Sequence, residues 1–231
     1  MTLTIDNVTY RSPNYNDRPP GTAISALVCH TTEGAWDSDA EWLCNPNTDN
    51  PVSTHYVIAP DGRIYELVDP SNQAWHAGSS SYAGKSNYNA FSIGLEISHQ
   101  QGRGYGAEQR ASATELARYL IAHYPAITRT YVVQHRDIAP DRKIDMTDIS
   151  NANFNAWADS LFIPASAAYR FRFAQAVFTD RRADSPLALG PDDGAEVFNA
   201  GEVVQIGDIT DGWGWINTGI GFVPMSVIAP C

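Results

Sequence analysis

The most constraining feature of this 231-residue chain is the alternation of short apolar runs with longer segments of helical periodicity between residues 24 and 162. The runs ISALVCHT, FSIGLEIS and TYVVQH have the length and the apolar content of buried strands. The segment AEQRASATELARYLIAHY places four apolar side chains at helical spacing, namely Leu116, Tyr119, Leu120 and Tyr124. Because strands and helices interleave, the sequence predicts an α/β domain in which helices flank a mixed central sheet.

The pattern changes after the segment IPASAAYR. From there on, short β-rich runs are separated by glycine-containing turns, as in GEVVQIGDITDGWGWINTGIGFVP, and no helical period continues. Short strands cut by turns are typical of small all-β barrels. The sequence therefore predicts two domains, the α/β domain over residues 1–163 and a small barrel over residues 168–231.

Charge and composition argue against several classes of protein. The formal net charge of −11 at pH 7 leaves no cationic surface of the kind that binds a phosphate backbone. No apolar run approaches the roughly 20 residues of a membrane helix, and the N-terminal segment lacks the basic start and hydrophobic stretch of a signal peptide. The three cysteines show no framework spacing, which fits a reducing compartment. We expect a monomer made in the cytoplasm, with no nucleic-acid partner and no membrane insertion.

Two predicted strands end in histidine, His30 in ALVCHTT and His135 in YVVQH. A buried strand does not recruit histidine for packing, so two such endings suggest one shared site, although a hydrogen-bonded structural role for each ring is an equally good interpretation. A catalytic zinc ion takes three protein ligands and keeps one open position. The loop after His135 offers three carboxylates, Asp137, Asp141 and Asp145, and spacing alone does not choose among them.

Four segments, LVCHTT, STHYVIAPDGRIYELVD, AWHAGSSSYAGKSNYNAFSIGLEI and QHRDIAPDRKID, together resemble the zinc-dependent N-acetylmuramoyl-L-alanine amidases of the Amidase_2 type. The resemblance runs in family order over about residues 22–160 and is strongest to the muropeptide-recycling and phage-lysin branches. It implies a zinc ion held by His30, His135 and Asp145. It also implies an amidase_2-like fold that resembles peptidoglycan-recognition proteins, and peptidoglycan as the partner. The family's catalytic glutamate and lysine fall on Glu96 and Lys143.

The chemistry of these residues agrees with the resemblance. Glu96 lies among apolar residues of a strand, and desolvation raises the pKa of a carboxylate toward the range that a general acid/base needs. Lys143 can place its ammonium group on a developing oxyanion. The alternatives are a surface-paired strand residue for Glu96 and a solvated loop charge for Lys143.

Further polar residues carry weaker expectations. The resemblance makes His76, in WHAG, a wall of the substrate groove, and Asn89 a hydrogen-bond partner for the peptide stem. His55 lies near the site, where a structural role is at least as good an interpretation, whereas His99 and His123 are expected to face solvent. Where recycling amidases commonly follow the ligand aspartate with Pro-Gly, this chain has Met146-Thr147, so the floor of the site and the substrate preference are expected to differ.

The C-terminal segment decides the expected biological role. DGWGWINTGIGFVP resembles the end of a bacterial SH3-like domain, which would tether the enzyme to the cell wall and raise its effective concentration there. With no signal peptide, this favours a phage endolysin that hydrolyses the lactyl-L-alanine amide of peptidoglycan after release. The alternatives are a cytosolic muropeptide-recycling amidase and, as a non-enzymatic possibility, a catalytically inactive peptidoglycan-recognition protein.

Overall fold

The computed structural model describes residues 3–100 and 102–162, together with the backbone of the strands between residues 168 and 230. The chain divides into two compact units, Met1–Asn151 and Ala152–Cys231. The predicted domain limits at residues 163 and 168 stay a prediction.

In its described residues, the first unit contains ten strands. In chain order they are β1 (Ile5–Asp6), β2 (Tyr15–Asp17), β3 (Ala26–Thr31), β4 (Tyr56–Ile58), β5 (Ile64–Glu66), β6 (Asn72–Ala74), β7 (Ser81–Tyr82), β8 (Lys85–Ser86), β9 (Ser92–Ile97) and β10 (Val132–Gln134). Six of them form the central sheet in the order β1-β5-β4-β9-β3-β10. All neighbours in it are parallel except β4 and β5, which are antiparallel. The prediction of a mixed central sheet is therefore confirmed.

The central strands are buried on both faces, which explains their nearly continuous apolar sequence. All six residues of β3 are buried. Alternate residues face opposite sides of the sheet, and Ala26 and Val28 pack on one side with Tyr88 and Val133. The same alternation brings His30 to this side of the sheet, at the carboxyl end of the strand.

Among the described residues, the first unit also contains the helices α1 (Trp36–Leu43), α2 (Ala107–His123) and α3 (His135–Ile138), whereas α4 (Asn151–Ser160) belongs to the second unit except for its first residue. Helix α2 buries Ala113, Leu116 and Leu120, as its periodicity predicts, whereas Tyr119 is 45 % exposed. Only a stripe at i, i+3, i+4 and i+7 faces the core, and Tyr119 lies beside this stripe. The inclusion of Tyr119 in the apolar face was therefore wrong. Among the described residues, no helix has the length and apolar character to cross a bilayer.

The second unit contains a five-stranded antiparallel sheet, in which Phe222–Pro224 and Ile228–Pro230 are the edge strands. Its strands are Ala168–Phe171 (β11), Val203–Thr210 (β14), Trp213–Ile216 (β15), Phe222–Pro224 (β16) and Ile228–Pro230 (β17), and a separate pair joins Gln175–Ala176 (β12) to Val197–Phe198 (β13). An all-β composition was expected from the short, glycine-punctuated runs. An SH3-like barrel stays a prediction.

Candidate metal centre

The candidate site lies where three parallel strands end. His30 and Glu96 are the penultimate residues of β3 and β9, and they are partners in the register of these strands. His135 follows the last residue of β10 and begins helix α3. The carboxyl ends of parallel strands meet at one edge of a sheet, where α/β proteins commonly place their sites. The strand-end histidines that stood out in the sequence are thus brought together by the sheet register.

Three donor atoms of this group converge on a single point. His30 Nδ1 lies 2.9 Å from His135 Nδ1, and Asp145 Oδ2 lies 3.1 Å from His135 Nδ1 and 3.4 Å from His30 Nδ1. The three residues are 1 %, 2 % and 8 % exposed. Of the described histidine, cysteine and acidic residues, these three form a group compact enough to hold a metal ion.

The geometry and chemistry of this group fit a zinc ion. Ligands at about 2.0–2.1 Å from a shared tetrahedral zinc lie about 3.3 Å from one another, close to the three separations found. His135 Nε2 lies 3.3 Å from the carbonyl oxygen of Ala77. Because a carbonyl only accepts, Nε2 carries the ring proton and Nδ1 presents its lone pair to the group. Two neutral imidazoles and one carboxylate form a ligand set of known catalytic zinc sites.

The electrostatics of the group keep its members in the states that bind a cation. Burial lowers the pKa of His30 to about 4, so its ring is neutral near pH 7. Burial alone would raise the pKa of Asp145, but the interactions of its carboxylate with the rings of His135 and His30 outweigh burial and lower that pKa. Asp145 is therefore an anion beside the neutral ring of His30.

The other two carboxylates of the loop lie apart from the histidines. Asp137 Oδ2 accepts the backbone N–H of Gln134 in a capping box at the start of α3, so its carboxylate fixes the loop locally. Asp141 is exposed. Of the three candidates, only Asp145 joins the group.

Glu96 lines the cavity next to this group. Its Oε2 is buried and has no hydrogen-bond partner among the described residues. Burial, and secondarily the charge of Asp145, raises the pKa of Glu96 well above its ordinary value. No described cation forms an ion pair with Glu96, so the alternative of a surface-paired strand residue has no support in this geometry.

The cavity has a volume of about 400 Å³. Besides the metal group and Glu96, its lining residues are Thr31, Thr32, Glu33, Asp39, Trp42, Leu43, Val52, Ser53, Trp75, His76, Arg142, Lys143 and Ile144. Lys143 is half-buried, and its positive charge partly counters the rise in the pKa of Glu96. Its predicted contact with the oxyanion stays a prediction, but its place at the cavity agrees with that role.

The two residues predicted to bind substrate have protein partners. His76 is buried, and its Nδ1 lies 3.0 Å from His30 Nε2. Asn89 Oδ1 accepts the backbone N–H groups of His76 and Ala77 at 3.1 and 2.7 Å, and Asn89 is not among the residues that line the cavity. Asn89 thus positions the WHAG loop, while contacts of either residue with substrate stay a prediction.

Arg142 is a further part of the site, which no sequence pattern predicted. Its guanidinium donates hydrogen bonds to the carbonyl oxygens of Ala77 and Ser79. Ala77 O is the carbonyl that also accepts from His135. Arg142 therefore fixes the loop that orients one histidine of the group, and only its position beside Lys143 in the HRDIAPDRKID motif pointed to it.

The segment after Asp145 is held by side chains. Thr147 Oγ1 donates to Glu33, and Tyr105 donates its hydroxyl to the backbone carbonyl of Thr147. His99 Nε2 lies 2.9 Å from Asp148 Oδ2. The expectation that His99 faces solvent was wrong, because this ring is only 4 % exposed and stacks on Tyr105.

His55 and His123 complete the histidines of the chain. His55 is fully buried, with Nδ1 accepting the backbone N–H of Gly94 at 2.9 Å and Nε2 lying 3.1 Å from Asn72 O. These contacts support the structural interpretation of His55. His123 is exposed at the end of α2, as expected.

The raised pKa of Glu96 predicts a measurable pH dependence of stability. The folded-state pKa exceeds the unfolded value, so ionisation of Glu96 destabilises the fold increasingly as the pH rises from about 4.5 through the folded-state pKa. Glutamine cannot ionise. Metal-free Glu96→Gln should therefore be more stable than the parent protein at about pH 8, and the difference should shrink toward about pH 4. Urea unfolding at both pH values measures it, with the exposed Glu41→Gln as control; a difference independent of pH would mean that Glu96 is solvated.

Comparisons with known proteins agree with this site. The family model Amidase_2, described as N-acetylmuramoyl-L-alanine amidase, matches residues 20–148. The 1,6-anhydro-N-acetylmuramyl-L-alanine amidase AmpD of Haemophilus influenzae is 33 % identical over 152 residues, which cover 58 % of this chain and 82 % of that protein.

Solved structures give the same result. A crystal structure of a selenomethionine AmpD derivative has a TM-score of 0.57 at 32 % identity, covering 68 % of this chain and 96 % of that one. The amidase AmiD of E. coli, in complex with anhydro-N-acetylmuramic acid-L-Ala-D-γ-Glu-L-Lys, has a TM-score of 0.51 at 28 % identity, covering 71 % and 70 %. The family model spans more than half of the chain, and the chain therefore belongs to the Amidase_2 family of N-acetylmuramoyl-L-alanine amidases and is an amidase.

Proposed function

We propose that the protein is a zinc-dependent amidase that hydrolyses the bond between the lactyl group of N-acetylmuramic acid and L-alanine, and that it acts on small soluble muropeptides in the cytosol. The observation that carries the zinc assignment is the convergence of His30 Nδ1, His135 Nδ1 and Asp145 Oδ2 within 3.4 Å at a cavity in an Amidase_2 chain. The cavity of about 400 Å³ is large enough for the groups that flank one amide bond.

In this proposal His30, His135 and Asp145 hold the zinc ion. A zinc ion bound there would act as a Lewis acid and would lower the pKa of a bound water molecule. Glu96 has an unpaired buried Oε2 at the cavity, where a carboxylate can take the proton of the attacking water. The same oxygen can then return that proton to the leaving amine of L-alanine. Burial raises the pKa of Glu96 above that of a solvated glutamate, which is the direction that a group acting first as base and then as acid requires.

Lys143 brings a positive charge to the cavity that Glu96 also lines. Hydrolysis of an amide develops negative charge on the carbonyl oxygen, and a fixed cation beside that oxygen stabilises the transition state more than the ground state. Lys143 lines the cavity two residues before Asp145, so its ammonium is available at that place. Glu96 and Lys143 thus divide proton transfer and charge stabilisation between them.

The comparisons favour the recycling alternative over the endolysin interpretation that the C-terminal segment suggested. The AmpD relatives are named for 1,6-anhydro-N-acetylmuramyl-L-alanine, and the AmiD structure holds an anhydro-muropeptide. We therefore propose an anhydro-muropeptide as the substrate.

A second candidate, lysis of intact cell wall as an endolysin, is favoured by one observation. The described strands between residues 168 and 230 include an additional five-stranded antiparallel sheet beyond the family match at residues 20–148.

The metal assignment predicts one zinc per chain. Asp145→Ala should lose zinc and activity, because removal of one of three protein ligands cripples the site. Asp141→Ala should keep both, since Asp141 is exposed and apart from the histidines. Elemental analysis after dialysis, with activity in the presence and absence of a chelator, measures the outcome. Zinc retained by Asp145→Ala but lost by Asp141→Ala would move the ligand role to Asp141.

The roles of Glu96 and Lys143 predict a loss of turnover with the metal retained. Glu96→Gln should lower kcat about 10²- to 10⁴-fold, and Lys143→Ala about 10²- to 10³-fold, while both variants keep one zinc. Lys85→Ala is the matched control for loss of a lysine, because Lys85 packs on Tyr131 and does not line the cavity. Steady-state kinetics on a soluble muropeptide measures the effect; turnover of Glu96→Gln near that of the parent protein would return Glu96 to a structural role.

The two candidate functions differ in their preferred substrate. If the protein recycles soluble fragments, the full chain should release the peptide from an anhydro-muropeptide with a higher kcat/KM than it achieves on purified sacculi. New N-terminal alanine, quantified by mass spectrometry on both substrates, measures the preference. Efficient solubilisation of sacculi together with poor cleavage of the small fragment would establish the endolysin interpretation instead.

A further inference from the structure

A row of hydrogen bonds leads from the metal group into the core of the sheet. His30 Nε2 lies 3.0 Å from His76 Nδ1, and His76 Nε2 lies 3.0 Å from Ser92 Oγ. Ser92 Oγ in turn lies 2.5 Å from the carbonyl oxygen of Tyr88. His30, His76, Ser92 and Tyr88 are all buried, so water does not compete for these contacts.

The last member of the row fixes the direction of all the others. A carbonyl oxygen only accepts, so the hydroxyl proton of Ser92 points to Tyr88 O. Ser92 Oγ must then accept from His76, whose Nε2 therefore carries the ring proton and whose Nδ1 has a lone pair. His30 Nε2 donates to that lone pair. The remaining nitrogen of His30, Nδ1, is left unprotonated and faces His135 and Asp145.

We propose that His76 and Ser92 are positioning residues that commit His30 to the Nε2-protonated tautomer, so that its Nδ1 lone pair is always presented to the metal. The inference rests on the proposed function, in which His30 is a zinc ligand, and deepens it by naming the residues that set the tautomer of His30. These residues form a relay of hydrogen bonds that ends at Tyr88 O. It also gives His76 a function other than the predicted wall of the substrate groove. Neither positioning residue needs to touch the substrate.

The sequence provides the space that this relay requires. A Cβ atom on Gly94 would lie 2.6 Å from Cγ and 2.9 Å from Cδ2 of His76, which is closer than real Cβ contacts. The glycine of FSIGLE, Gly94, thus lets the ring of His76 in WHAG approach β9 closely. The two motifs meet at this contact, and Gly94→Ala should displace the ring and break the relay although Gly94 lies outside the metal group.

The tautomer can be read in the metal-free full-length protein, independently of zinc and of activity. Histidine ring nitrogens give distinct ¹⁵N signals for the protonated and unprotonated states. His30 should be protonated at Nε2 in the parent protein, and Ser92→Ala should shift part of the population to Nδ1. Ser12→Ala is the matched control, because Ser12 is also a buried serine that donates to a carbonyl, that of Leu43, but contacts none of these rings. His30 protonated mainly at Nδ1 in the parent protein would overturn the proposal.

Zinc affinity, measured by competition with a chelator, tests the consequence. Loss of an outer partner of a ligating histidine typically weakens metal binding about 10- to 100-fold, so His76→Ala and Ser92→Ala should both show such a loss. His76→Asn should restore most of the affinity, because its side-chain oxygen can take the place of Nδ1. Equal losses in Ser92→Ala and Ser12→Ala, or parent-like affinity in His76→Ala, would refute the relay. A parent protein that binds no zinc would refute the proposed function, while the tautomer measurement would still decide the relay.

Discussion

The interaction on which the site depends is the crowding of three electron-rich atoms. His30 Nδ1, His135 Nδ1 and Asp145 Oδ2 lie within 3.4 Å of one another in a part of the protein that water barely reaches. With Nε2 of both rings committed to neighbouring acceptors, two lone pairs and a carboxylate face each other, and a cation shared by the three atoms would relieve their repulsion. The parallel sheet supplies the rigidity that this arrangement needs, because it holds His30 by β3 and His135 directly after β10.

Glu96, at the same edge of the sheet, is a residue whose proposed catalytic use lowers the stability of the fold. Its Oε2 is buried without a partner, and burial raises its pKa. Such a group destabilises a fold wherever it is charged, and an apolar residue or glutamine would fit this strand with less cost. Cys29 and Leu95, the neighbours of His30 and Glu96 toward the start of each strand, are buried without such a cost. In β3 and β9, His30 and Glu96 thus lie at the strand ends that face the cavity.

The sequence predicted the strands that carry the site better than the contacts between the side chains of the site. Apolar runs that end in His30 and His135 identified the strands and their shared edge, because period and residue type are local properties of a strand. The choice of Asp145 over Asp141 came from resemblance, since a loop of ten residues can direct several carboxylates to one place. The contact of His76 with His30, and the burial of His99, depend on pairings across more than 40 positions that no local pattern records. The same limit left the roles of Asn89 and Arg142 to the structure.

The replacement of Pro-Gly by Met146-Thr147 illustrates how such distant pairings compensate for a local change. A proline stiffens a segment by itself, whereas this segment takes its rigidity from outside: Thr147 binds Glu33 and Tyr105, and Asp148 binds His99. The hydroxyl of Thr31 donates to the same oxygen of Glu33 at 2.7 Å, so the carboxylate is held at the cavity wall by two hydroxyl groups. The segment after Asp145 and the segment after His30 are thereby joined. A displacement of Thr147 would move a carboxylate of the cavity wall as well as the backbone that carries Asp145, which couples the shape of the cavity to the geometry of the metal group.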